Sequence, residues 1–170
     1  TLKKNSFYRV VKKQPLLKTI SVDGGKVYPP FDPQIHNYMV HVGENIESLN
    51  IILQAVKEEN TLTYNGELSS GLITLDAAQA LEEKYMSVGV KSKSQIIEGK
   101  YHITFVPHKF PEMSSIFNPM KVADGYLLTC LRSPTRKVSY VVILNNYGVP
   151  LRYKIIHGLA ADFKRHKSGL

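Results

Sequence analysis

The stretch VDGGKVYPPFDPQIHNYMVHV, Val22 to Val42, decides how the chain is read. Asp23-Gly24-Gly25 opens it as a tight turn, because glycine supplies positive φ at no steric cost. Pro29, Pro30 and Pro33 follow. Proline cannot donate to a ladder, which puts this piece at a sheet edge or in a crossing loop. From His36 to Val42 the pattern alternates, with Tyr38, Val40 and Val42 on one face. Period two is the signature of a half-buried strand. His36 and His41 fall on opposite faces by the same count. The punctuation is that of a chain turning between sheets, and nothing in it reads as an active site.

Working outward, Leu17 to Val22 is a short strand ending at the glycine turn. Downstream, strands are expected at Leu49–Val56, Leu62–Asn65, Leu72–Leu75, Met86–Val90 and Tyr101–Val106. Asn65-Gly66 is a hairpin signal. Asp76 to Tyr85 fits a short helix, with Ala77, Ala80 and Leu81 at helical spacing, or else a polar connection. So many short strands in so little chain imply an antiparallel β-sandwich, immunoglobulin- or cadherin-like. The expected core is Ile20, Val22, Tyr38, Val40, Ile52, Tyr101, Ile103 and Phe105.

Pro107, Pro111 and Pro119 punctuate a stretch with little periodicity, which reads as a linker. Beyond it come strands at Gly125–Leu131, Val138–Asn145 and Val149–Ile156, the last two joined by Asn145-Asn-Tyr-Gly148. Ala161 to Gly169 would add a fourth strand and its turn. Four short strands do not close a core of their own. They do make one propeller blade, which needs its neighbours. The expected organisation is a basic tail or linker over 1–14, a sandwich over 15–107 and a Pro-rich linker over 108–119. A truncated first blade, an incomplete β-meander, then fills 120–170. Leu170 comes just after a turn signal, as if cut inside a domain, and Thr1 in place of Met leaves room for a removed leader.

The 170 residues suffice for one ordinary domain or two small ones, and 43% are hydrophobic. The longest apolar run, Tyr140 to Leu144, falls far short of the roughly 18 residues of a membrane span, so no transmembrane segment is expected. Cys130 is the only cysteine, which excludes an internal disulfide, and it reads as a buried, inert thiol. The net charge of +8 is uneven. Residues 1–14 hold five basic groups and no acid, 15–107 hold 7 basic and 11 acidic, and 108–170 hold 10 basic and 3 acidic. Such asymmetry suggests separate units. A nucleic-acid partner would want basic residues interleaved with exposed aromatics on one face, and it is the less favoured reading of this charge.

The order of features over about residues 16 to 107 resembles the small bacterial cadherin-like β-sandwich modules. Those features are the glycine turn, Pro-Pro-Phe-Asp-Pro, HNYMVHV, Asn-Gly, Ser70-Gly71 and YHITFVP. The resemblance implies that Phe31-Asp32-Pro33 crosses between sheets and that Tyr38 anchors the next strand. Classical cadherins gather carboxylates around calcium, which takes six to eight oxygens. Asp23, Asp32 and Asp76 are scattered, so no calcium site is expected. The stretch DGYLLTCLRSPTRKVSYVVILNNYGVPLRYKI, followed by ADFKRHKSG, is similar to the first propeller blade of the arylsulfotransferase family. The features that carry this likeness are Tyr140 to Asn145, Gly148, Tyr153, Asp162-Phe163-Lys164 and Ser168-Gly169. That family moves a sulfuryl group between phenols through a histidine intermediate. The resemblance implies an extracytoplasmic bacterial protein, periplasmic, secreted or on the cell surface. It also places the catalytic histidines on later blades, so no catalytic residue, metal or cofactor is assigned here and the substrate-binding residues stay open.

Candidate chemistry within the chain is sparse. His157, Asp162 and His166 come close in sequence, but their spacings of five and four fit no metal signature. A nucleophilic histidine also needs a pocket and a partner that orients its ring. His36, His41, His102 and His108 sit on or beside strands, where surface or half-buried histidines are ordinary. Gly24-Gly25-Lys26 lacks the following helix of a phosphate loop, and Ser69-Ser70-Gly71 lacks the hydrolase-elbow pattern. The basic tract Arg132 to Lys137 reads as a solvated turn or as an attractor for an anionic donor such as an aryl sulfate. Three functions stay open. The chain is the N-terminal region of an arylsulfotransferase-like protein whose partners are missing blades, with aryl sulfate and phenol as substrates of the whole. Alternatively it is an adhesion or glycan-binding sandwich, or a basic nucleic-acid or surface-binding module.

Overall fold

The computed structural model describes residues 16–94, 98–113, 125–132, 137–161, 163 and 164. The basic tail 1–14, residues 114–119 of the expected linker and the segment 133–136 lie outside them. The described molecule is all-β apart from one short helix. Its strands are β1 (Leu17–Asp23), β2 (Gly25–Tyr28), β3 (Asn37–Val42), β4 (Ser48–Ala55), β5 (Thr61–Tyr64) and β6 (Glu67–Ser69). They continue as β7 (Leu72–Asp76), α1 (Ala77–Glu83), β8 (Tyr85–Lys91) and β9 (Glu98–Val106). A last group holds β10 (Leu127–Arg132), β11 (Val138–Leu144) and β12 (Pro150–His157).

Three sheets result, in the orders β1-β4-β7, β2-β3-β9-β8-β5-β6 and β10-β11-β12. Pairing is antiparallel except between β3 and β9, which run parallel with Tyr38 opposite Ile103 and Val40 opposite Phe105. The first two sheets form the sandwich. Leu17, Ile20, Leu49, Ile51, Leu53 and Ile73 from the small sheet meet Tyr38, Val40, Met86, Val88, Tyr101, Ile103 and Phe105 from the large one. Asp76 caps α1 by accepting from the Gln79 N–H at 2.8 Å, and Ala77 and Ala80 turn into this core. The helical reading holds over Ala77–Glu83, with Asp76 as its cap, while Tyr85 already begins β8.

Two expected core residues differ. Ile52 is 44% exposed, and Val22 is only partly buried. The run Leu49-Asn-Ile-Ile-Leu53 has apolar residues in both parities. Leu49, Ile51 and Leu53 share one parity and fill the core, which turns Ile52 outward opposite Leu72.

The opening stretch is held by tyrosine hydroxyls. Tyr38 donates to the Asp32 carbonyl and accepts the Asp32 N–H at 3.0 Å, while its ring stacks on Phe31 at 5.8 Å. Tyr101 donates to the Pro33 carbonyl at 2.9 Å and accepts the Leu17 N–H at 3.1 Å. Backbone groups that leave the ladders at the crossing thus find partners inside the sandwich.

The third sheet lies on the other face of the large sheet. A second core joins Met39 and Val106 from that face to Phe110, Tyr140, Val142, Leu144, Val149 and Tyr153. Tyr153 donates to the Phe105 carbonyl at 3.0 Å. At the seam the Lys84 ammonium lies 5.8 Å from the Tyr153 ring centre, and the Arg152 guanidinium 5.2 Å from that of Tyr85. The described part of the Pro-rich segment is packed, not extended between units, since Phe110 is 2% exposed. Cys130 is half-buried on β10, where full burial was expected. Of the expected fourth strand, Ala161, Phe163 and Lys164 are not in a strand, and the rest falls outside the described residues.

Candidate functional site

A concavity of about 590 Å³ lies at the corner where β2 and β3 meet the segment 107–113. Its floor is apolar, from Tyr28, Met39, Ile46 and Met113. Lys26, His41, His108 and Glu112 supply the polar groups. The register places Lys26 directly opposite His41, which brings two of these side chains to one edge. Gly24, at φ +87, lets the chain turn tightly here, and the Gly43 N–H donates to its carbonyl at 2.8 Å. A Cβ at Gly24 would come within 2.9 Å of Ile46 and of the Ser48 carbonyl oxygen.

Burial pushes the His41 imidazole below its ordinary value, and Lys26 and His108 push the same way, against an opposing pull from Glu112. His108 lies 3.7 Å from the Glu44 carboxylate, which also holds Lys109 at 3.9 Å. The set can bind by charge and by hydrogen bonds. Among the described residues its lining contains no serine or cysteine to act as a nucleophile. Among the described residues no group of three His, Cys, Asp or Glu side chains could hold a metal.

Some of the residues singled out from sequence meet at the cleft and others lie elsewhere among the described residues. His157 ends β12 and is exposed, while Asp162 and His166 lie outside the described residues. His36 stacks on Tyr101 at 4.7 Å, and its Nδ1 meets the Lys100 carbonyl at 2.7 Å, which is a structural role. His102 lies on the face of β9 that carries Val106. Arg132 and Lys137 are exposed at either end of the basic tract. The cleft joins Gly24-Gly25-Lys26 to His41 and His108. Sequence reasoning treated these three features separately, because the contact needs the 107–113 segment to fold back onto β3. No family model matches the chain, and no curated protein or solved structure matches it either.

Proposed function

We propose that this chain is the N-terminal region of an arylsulfotransferase-like protein, with a non-catalytic role. The sandwich acts as a base on which the first blade of a propeller is seated, and the sulfuryl-transfer residues lie outside the chain. One observation carries the reading. Tyr140 and Tyr153, the aromatics that resemble blade residues, anchor a three-stranded antiparallel meander onto the sandwich through Phe110 and the Phe105 carbonyl. A small sheet with one face docked and, among the described residues, two edges open suits a blade that continues into further blades. The same reading puts the protein outside the cytoplasm. The adhesion alternative draws less support, since among the described residues the cleft presents no exposed aromatic platform. The exposed tyrosines Tyr85 and Tyr126 are not among its lining residues.

The test is turnover. The purified 170-residue chain, given an aryl sulfate donor and a phenol acceptor, is expected to show no transfer above background, whereas a parent protein carrying further blades transfers. Transfer by this chain that disappears in His157→Ala would place the active site here and overturn the proposal.

A further inference from the structure

The turn 107–113 is a wedge between the sandwich and the third sheet. Its Phe110 ring meets His41 at 6.1 Å, Tyr140 at 4.9 Å and Tyr153 at 5.4 Å, so one aromatic touches both β3 and the docked sheet. The Tyr140 hydroxyl also donates to the Lys109 carbonyl at 3.4 Å. The charged groups around His41 come from each neighbouring element. Lys26 faces it from β2, and His108 and Glu112 face it from the wedge. From β9, Val106 pairs with it and brings no charge. Glu44 lies next in line, against His108 and Lys109. With the His41 ring neutral, the ammoniums of Lys26 and Lys109 balance the carboxylates of Glu44 and Glu112. Protonating His41 leaves a net excess of positive charge beside an apolar core.

We infer that His41 is an acid-responsive latch: its neutral ring lets the Phe110 wedge seat the third sheet, and its protonated ring loosens that sheet while the sandwich stays folded. The sign follows from its surroundings. Burial and the flanking cations disfavour the imidazolium in the folded state, so its folded value lies below the ordinary 6.5. Docking is therefore complete above that ordinary value and weakens as pH falls through it. The latch does not depend on the arylsulfotransferase reading, because it needs only the wedge and its charges.

Amide hydrogen exchange on the full chain at about pH 7.5 and about pH 5, corrected for intrinsic rates, tests it. In the unaltered protein, Ser139 to Ile143 are expected to lose protection at the lower pH relative to Ile51 to Leu53. His41→Gln removes that difference. His102→Gln keeps it, although burial, Lys100 and His36 also push His102 below its ordinary value. If His41→Gln does not fold, Glu112→Gln serves instead. Losing the one carboxylate that favours the imidazolium should make the acid loss larger than in the unaltered protein. Parallel loss in both strands, an acid response that survives His41→Gln, or an unchanged response in Glu112→Gln would overturn the latch.

Discussion

Two tyrosines explain the punctuation of Val22–Val42 at the residue scale. Tyr38 and Tyr101 are fully buried, yet each hydroxyl serves two backbone groups, at Asp32 in one case and at Pro33 and Leu17 in the other. Tyr101→Phe would leave the Leu17 N–H and the Pro33 carbonyl without that hydroxyl. A loss of about 1–3 kcal/mol in denaturant melts is expected, the scale for unsatisfied buried groups. Tyr38→Ala also empties ring volume against Phe31, and about 3–5 kcal/mol is expected. Burial raises Tyr38 and Tyr153 from 10.0 to about 12. The unfolded chain thus gives up these protons first as pH rises. Their contribution to stability is complete below 10, and it is lost between 10 and about 12. Spectrophotometric titration should show these two phenols ionising only as the fold is lost. Ionisation near 10 with the fold intact would contradict it.

At the element scale, parity decides β4. Leu49, Ile51 and Leu53 point into the sandwich, and Ile52 points out beside Leu72. Ile51→Ala should cost about 2–5 kcal/mol, and Ile52→Ala about 0.5 kcal/mol or less. Equal losses would mean that the register is shifted by one residue. The strands were legible in sequence wherever apolar and polar residues alternate, as in β3 and β9, or where Asn65-Gly66 forces a hairpin. Ile51-Ile52-Leu53 gave no parity of its own, which is why Ile52 was misplaced. The short edge strands β2 and β6, at four and three residues, carry too few alternations to register as strands. The β11–β12 turn was legible as Asn145-Asn-Tyr-Gly148. Its mechanism was not, and the structure supplies it: the Asn145 Oδ1 accepts from Tyr147 and Val149 N–H groups at 2.9 and 3.0 Å.

At the scale of the whole molecule, the decisive contact joins segments far apart in sequence. Met39 and Val106 lie on strands whose inward neighbours, Val40 and Phe105, already belong to the sandwich core. A strand with apolar residues on both faces reads as fully buried, and sequence alone does not say what covers the second face. Here the cover is the third sheet, with Phe110 filling the gap. Phe110 was hidden because its surroundings, Pro107 to Pro111, carry the composition of a loop. The candidate cleft was hidden for the same reason, since half of its polar groups come from that loop.

The central claim is that Phe110 seats a separable third sheet on a sandwich that stands without it. Native-state hydrogen exchange on Phe110→Ala tests it most directly. Truncating a buried aromatic removes about 3–5 kcal/mol of packing. The amides of Ser139 to Ile143 are expected to lose protection, while those of Ile51, Leu53 and Ile103 keep theirs. Uniform loss across all three sheets, or unchanged protection in β11, would contradict the claim.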